Sequence, residues 1–575
     1  MKTPGKIMTG LLCLVLLLST ASFGQSGKKL PDDVVNSINK RIEFGLNPSV
    51  VVGIIDKDGP HYFNFGRKSE NGPEANEHTI YEIGSITKVF TAILLAQQVI
   101  DGKLKLDDPI KNYLPPEVKV PQRGGKEITF GSLSDHTSGL PRMPANFAPA
   151  DPGNPFADYT VDQLYSFLSG YELTRDVGSA YEYSNLAQGL LGHILALNAG
   201  LPYESLMIKT IAKPLRMEET KITLDEKMKK NLATGYNRGV EAENWDLPTL
   251  AGAGAIRSST YDMLKFLSAN LGYLKTPLET AMNKTHEVRH DKAGGMSVGL
   301  GWHIMKGKNG DVIWHNGGTG GYRAFAGFVK ETGEGVVLLT NSTASVDDIG
   351  FHLLNPESAL VTVKPGIAAE LRKTIDAKGV EAAKTLFYDL KENKPDEYDF
   401  SEEEINTLGY SYVEKNPEAA LAIFKMNVDM YPTSSNVYDS YGEALLKNGD
   451  KILAIENYKK SVEINPANTN AIQALEKMGV KLQIEDVEVP EATLDTYVGT
   501  YELAPGFNIV ITREGKQLFG QATGQEKFEL FAKSNVEFYL KVVNAQIIFN
   551  INEQAAVESL TLFQNGQKTE GKKIN

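Results

Sequence analysis

Ser85 and Lys88, in the stretch Y-E-I-G-S-I-T-K-V-F-T-A, place a hydroxyl and an amine three residues apart where a strand-like run turns into a helix. Positions i and i+3 share one helix face, so the amine sits beside the serine oxygen. A helix N-terminus adds about half a positive charge and free backbone N–H groups. That field eases deprotonation of the lysine and favours negative charge developing at the serine. A serine with a neutral amine as its base is an activated nucleophile, and the chemistry this suggests is acyl transfer. The spacing alone is common. Ser26 with Lys29 and Ser37 with Lys40 share it, and an exposed helix start with a solvated lysine is its ordinary reading. Ser85 differs in the small and apolar run that follows through Ala96, which predicts a buried helix with a polar start.

Tyr183-Ser184-Asn185 stands just before another apolar helical run. The phenol could relay a proton there, and the amide could hold Lys88 or a substrate carbonyl. A plain aromatic at the core edge with a helix cap at Asn185 reads equally well, and Tyr62 with Asn64 repeats the pattern by chance. A third element is W-H-N-G-G-T-G-G-Y, from Trp314 to Tyr322. Small residues alternating with apolar ones predict a hairpin or strand edge where backbone approaches a ligand closely. His315 could carry a hydrogen bond or a charge into such a site, and the Gly318 amide could face an oxyanion. None of the nine histidines has a cysteine partner, and neither a metal nor a cofactor is expected.

Taken in order, Ser-x-x-Lys, Tyr-x-Asn and His-x-Gly resemble the serine β-lactamase/penicillin-binding-protein superfamily. More narrowly the chain looks like its class C β-lactamase-related branch of DD-peptidases and esterases. The segments I-T-F-G-S-L-S-D-H-T-S-G-L-P from Ile128, A-G-A-G-A-I-R-S-S-T-Y-D-M from Ala251 and G-L-G-W from Gly299 add to the likeness. The resemblance implies that Ser85 is acylated, that Lys88 is its base, that Tyr183 shuttles the proton, that Asn185 orients and that His315 lines the far wall. It also implies an oxyanion hole from the backbone amides of Ser85 and Gly318, worth ~3 kcal/mol per donor. Asn316 and Gly317 would contact the substrate.

The third motif departs from its relatives, which usually carry Lys or His followed by Thr or Ser. Histidine has an ordinary pKa of ~6.5 and is mostly neutral at pH 7, so it grips a carboxylate less well than lysine. Asn316 also lacks the small hydroxyl. The reading is therefore an exported serine hydrolase acting on esters or D-alanyl peptides. The alternatives are a β-lactamase, or a non-catalytic penicillin-binding or sensor protein.

The hydrolase domain is expected over 28–356 as an α/β fold, with an antiparallel sheet flanked by helices and an all-helical lobe. In that sheet 50–55 and 62–66 are expected at one end and 336–340 at the other. A length of 575 residues asks for several domains. Residues 1–24 read as a signal peptide: Lys2 and Lys6 precede a short apolar core, and small residues flank a cleavage point before Gln25. That core is too short for a membrane span, which needs ~20 residues, so no stable membrane anchor is expected after cleavage. The single cysteine, Cys13, lies inside it. The expected location is periplasmic or secreted in a bacterium. A formal net charge of -13 argues against nucleic acid or an anionic membrane surface as partner.

Two further regions follow. Ala420, Phe424, Val428 and Pro432 recur as Ala454, Tyr458, Val462 and Pro466, a 34-residue period. That pattern resembles tetratricopeptide repeats, expected over 364–480. Such repeats either bind a protein segment or buttress a neighbouring domain. From 487 to 575 the pattern turns to period two. Seven short strands, the first over 497–503 and the last over 557–563, predict a small antiparallel barrel resembling a lipocalin-like module, wide enough for a small apolar ligand.

Overall fold

The computed structural model describes residues 28–574 except 293–295, 467, 481–486, 505–506, 524–526, 541–544, 553–555 and 565–566. The expected signal peptide lies outside the described residues. Among the described residues no helix is long and apolar enough to cross a membrane.

Strand Ser49–Asp56 is buried at every position but the last. A strand buried on both faces belongs in a sheet interior with a partner on each side. Its partners are Gly59–Gly66 and Glu334–Thr340, both antiparallel. The eight-stranded sheet continues through Arg323–Val329, Val312–Gly318, His303–Met305, Met296–Val298 and His290–Lys292. The expectation that 336–340 forms the opposite end is therefore corrected. That strand lies directly against Ser49–Asp56, because the all-apolar first strand needs a second neighbour and the chain supplies it from nearly 300 residues away.

Helix Thr87–Ile100 is buried on all faces from Thr87 to Ala96. A helix with no solvent face is a core element. It packs against Asn185–Ala199, Ala251–Gly254 and Glu279–Thr285. On the sheet side its Phe90 ring stacks on Phe266, centroids 4.3 Å apart. The site lies where this helix begins, between the sheet and the helical lobe.

Among the described residues seven helices from Ile367–Lys378 to Thr469–Lys477 form the next region. The repeat has a physical cause in packing. Gly409 lies so close to Phe424 that a Cβ there would stand 2.7 Å from the ring, and at Gly442 one would stand 3.2 Å from Tyr458. Each pair of helices thus closes by seating an aromatic ring where the facing helix has no side chain. The helices meet the hydrolase through Arg238, which pairs with Glu403 at 2.8 Å and Glu404 at 3.1 Å. Arg372 adds a hydrogen bond to the Gly239 carbonyl, 2.8 Å long.

The C-terminal region closes into an eight-stranded barrel. One strand more than expected is present: Gln567–Lys573 pairs with both Gly499–Ala504 and Val557–Gln564. It carries almost no apolar residues, so the period-two pattern does not mark it. Tyr497 ends a short helix, Glu491–Tyr497, rather than starting the first strand. Its ring stacks on Phe549 with centroids 4.0 Å apart, and Phe538 meets the same ring edge-on. Buried side chains therefore occupy the interior in which a small ligand was expected.

Candidate active site

Strand Ile80–Glu82 leads into Gly84, at a φ of 50° that favours glycine. A tight turn, Gly84–Ile86, then feeds helix Thr87–Ile100 and leaves Ser85 half-buried at its start. Strand Val312–Gly318 lies against this turn. A Cβ on Gly84 would stand 2.6 Å from the Gly318 nitrogen, and one on Gly317 would stand 1.9 Å from the Ile83 carbonyl oxygen and 3.1 Å from the Ser85 nitrogen. Only glycines allow the two backbones this approach, which brings the amides of Ser85 and Gly318 into adjoining segments.

Lys88 is fully buried. Its Nζ lies 2.9 Å from Ser85 Oγ, 2.9 Å from Asn185 Oδ1 and 2.7 Å from the Ala253 carbonyl oxygen. Burial, with the nearby Arg142 cation in second place, holds its pKa well below the ordinary 10.5. A neutral amine has two hydrogens, and the two carbonyl oxygens accept both. When the amine is neutral its lone pair is left for the Ser85 hydroxyl, whereas a protonated amine donates to Ser85 Oγ. The Ala253 carbonyl reaches this position because the A-G-A-G-A segment is small. A Cβ on Gly252 would stand 2.8 Å from the Gly192 Cα.

Tyr183 lies on the loop before helix Asn185–Ala199 and is hydrogen-bonded to Ser85. Burial pushes its phenol up to about 12, although the Ser85 bond and Arg142 pull it down, so the group keeps its proton at neutral pH. The Lys88 Nζ stands 4.9 Å from its ring centroid. The helix cap is Ser184, whose Oγ accepts from the Ala187 N–H at 2.9 Å. The cap considered for Asn185 is thus supplied one residue earlier, and the Asn185 amide is left to meet Lys88.

His315 is fully buried on the face of its strand that looks toward Lys88. Its Nδ1–H donates to the Asn316 carbonyl oxygen, 2.5 Å away, and among the described residues its Nε2 has no hydrogen-bond partner. Burial first, then His303 and Lys88, hold its pKa well below 6.5. The ring stacks on His303 at 4.9 Å and lies 6.3 Å from the Tyr183 ring. Successive strand residues face opposite ways. Asn316 accordingly turns from the lysine and donates to Asp347 Oδ2 at 2.6 Å, while Gly317 packs on the Ile83 carbonyl. The structure therefore brings Ser85, Lys88, Tyr183, Asn185, His315 and Gly318 together, and turns the Asn316 side chain elsewhere.

Several neighbours escaped the sequence reading. His136, at a φ of 62°, stacks on Tyr183 at 4.7 Å and accepts from the Ser184 N–H at 3.1 Å. Arg142 lies over the same ring, its guanidinium carbon 5.2 Å from the centroid. His136 sits inside the D-H-T-S-G-L-P segment and Arg142 just behind it, which was the available signal. Asp347 had none.

A family model described as Beta-lactamase matches residues 38–353, and one described as a domain of unknown function (DUF3471) matches 485–573. A Beta-lactamase of Pseudomonas fluorescens is 29% identical over 327 residues, covering 50% of this chain and 87% of that protein. The D-alanyl-D-alanine-carboxypeptidase/endopeptidase AmpH of Escherichia coli is 28% identical over 357 residues, covering 58% and 91%. A solved class C β-lactamase is 25% identical with a TM-score of 0.51, over 58% of this chain and 97% of that one. More than half of the chain lies inside one family model and aligns with relatives of that kind, so it belongs to the Beta-lactamase family, as a serine hydrolase of the class C and AmpH-like type.

Proposed function

We propose that this hydrolase works through an acyl-enzyme on Ser85, with Lys88 as the base and Tyr183 as the proton relay. The observation that carries the reading is the Lys88 amine, fully buried, with its pKa well below the ordinary 10.5 and its Nζ 2.9 Å from Ser85 Oγ. In this reading Ser85 Oγ attacks the substrate carbonyl as its proton passes to Lys88 Nζ. The oxyanion is held by the Ser85 and Gly318 amides, each donor contributing ~3 kcal/mol. The proton then moves through the Tyr183 hydroxyl to the leaving group as the old bond breaks. Water repeats the sequence on the acyl-enzyme, and Asn185 keeps the amine oriented throughout.

The substrates proposed are esters or D-alanyl peptides. The neutral, buried His315 supports esters, and peptides without a free carboxylate at that position, over β-lactams, because it offers no charge to a carboxylate. The relative named as a D-alanyl-D-alanine-carboxypeptidase/endopeptidase points the same way, while those named Beta-lactamase keep β-lactam hydrolysis as the second reading. We also propose export to the periplasm or beyond, with a hydrolase over 28–356, helices over 364–480 and a barrel over 487–575. The helices are read as tetratricopeptide-like and as a buttress, a role supported by the Arg238 ion pairs rather than by any docked segment.

The deciding test labels the full chain with a fluorescent penicillin or a fluorophosphonate and sequences the tagged peptide. The expected adduct is on Ser85. A label on Ser37 or Ser184, or no label with an active protein, overturns the assignment.

A further inference from the structure

With His315 and Lys88 both held toward their neutral forms, neither residue offers the site a fixed positive charge. Arg142 is a cation beside the reacting groups: its guanidinium carbon lies 5.2 Å from the Tyr183 ring centroid, and its field reaches Lys88. Its backbone is clipped to the start of helix Asn185–Ala199: the Arg142 carbonyl accepts from the Asn185 N–H at 3.0 Å and from the Leu186 N–H at 3.2 Å. One residue earlier, Ser184 Oγ donates to the Pro141 carbonyl at 2.7 Å. One residue later, the Met143 sulfur lies 4.0 Å from Asn185 Nδ2. This segment therefore moves with Tyr183 and Asn185 as one unit. The Arg142 side chain leaves it exposed to solvent, with its guanidinium over the Tyr183 face.

Among the described residues Arg142 forms no ion pair. Other arginines of this region do: Arg175 binds Glu182, Arg257 binds Glu82, and Arg289 binds Asp135 at 3.0 Å. An arginine beside the reacting groups without an acidic partner is available to an anion from outside. Guanidinium groups bind carboxylates with paired, charge-assisted hydrogen bonds. The location also selects which part of the substrate is gripped. Gly318 lies against the Ser85 turn, whereas Arg142 meets Asn185 at the start of helix Asn185–Ala199 beside Lys88, so with the oxyanion at Gly318 the inference places the acyl chain on the Asn185 side.

We propose that Arg142 is a specificity-determining residue that binds an anionic group on the acyl portion of the substrate, so that this enzyme prefers acyl donors carrying a carboxylate. The inference rests on the reading that Ser85 forms the acyl-enzyme. It moves the charged anchor from the third motif to the helical-lobe side of the cleft.

Three 4-nitrophenyl esters of similar length test it on the full chain: the neutral butyrate, the anionic glutarate monoester and the cationic 4-aminobutyrate. Wild-type enzyme is expected to favour glutarate over butyrate in kcat/KM, mainly through KM. Arg142→Gln should lower the glutarate-to-butyrate ratio by roughly 10-fold or more, as loss of a charge-assisted pair does. Arg142→Lys should restore part of it, and Arg142→Glu should turn the preference toward 4-aminobutyrate. If Arg142 only tuned Lys88 and Tyr183 through its field, glutarate and butyrate would change together and the ratio would stand, which overturns the proposal. A wild-type enzyme with no preference for glutarate also overturns it. Ser85 labelling is followed in every variant. A labelled Ser85 with an unmoved ratio sinks the Arg142 role alone, whereas an active enzyme without a Ser85 adduct sinks the acyl-enzyme reading beneath it.

Discussion

The hydrolase and the regions behind it treat charge in opposite ways. Around Ser85 the chain buries a lysine and a histidine completely and shifts both toward their neutral forms. It also keeps the ion pair of Arg257 with Glu82 almost wholly out of water. In the helical region the lysines lie on the surface in short local pairs, such as Lys384 with Glu381, Lys394 with Glu397 and Lys460 with Glu463. Such exposed pairs contribute little to stability. The barrel fills its centre with tyrosine and phenylalanine rings. Burying an ionisable group costs several kcal/mol unless it is neutralised or matched, so folds avoid it where nothing is gained. The contrast marks the start of helix Thr87–Ile100 as a place where stability is given up for reactivity, whereas in the helical region the buried carboxylate Glu404 is matched by Arg238.

The sharpest way to break that contrast is to remove the buried amine. Lys88→Ala is expected to slow acylation of Ser85 by ~10²-fold or more, measured as the rate of fluorophosphonate labelling, and Tyr183→Phe by a comparable factor. Asn185→Ala should cost less, since the Ala253 carbonyl still orients the amine. A Lys88→Ala enzyme that labels at the wild-type rate would mean that another base is at work.

The pH dependence follows from the same burial. Lys88 must be neutral to act, and its pKa lies below 10.5, so kcat/KM should rise with pH on its acid limb well before that value. It should fall again only toward about 12, where Tyr183 loses its proton. Stability carries the matching signature. At neutral pH the unfolded lysine takes up a proton that the buried one resists, which penalises the folded state, and the penalty fades as pH climbs toward 10.5. Lys88→Met should thus raise stability at pH 7 by roughly 1–2 kcal/mol, and by less at pH 10, in paired denaturant titrations. An equal gain at both pH values would contradict a lowered Lys88 pKa.

In the helical region only packing should be at stake. Gly409→Ala forces a Cβ toward Phe424, 2.7 Å away, and should destabilise by about 1–3 kcal/mol with ester turnover unchanged. Gly442→Ala, with 3.2 Å to Tyr458, should cost less. The smallest effect is expected from a truncated chain ending at Pro356, which removes both accessory regions and the partners of Arg238. Once checked for solubility, it should keep activity on a small ester within about 10-fold. A folded but inactive truncation would show that the rear regions complete the site, and the contrast drawn here would fail.

Much of this was legible in the residues. Spacing alone put Ser85 and Lys88 on one face of a helix start, and local chemistry set Tyr183 and Asn185 at another. The 34-residue period and the switch to period two announced helices and then strands, because those patterns arise from each element's own geometry. Asn316 shows where local reading ends. It stands one residue from His315, yet strand alternation and the Asp347 carboxylate turn its side chain away. Strand Gln567–Lys573 stayed hidden because a polar strand that closes a barrel is held by its neighbours' backbones and not by its own pattern. The neutrality of Lys88 and His315, the reach of the Ala253 carbonyl and the position of Arg142 over Tyr183 were likewise absent from the sequence. Each depends on segments far apart in the chain that exclude water from one point, and desolvation is a property of the assembled fold.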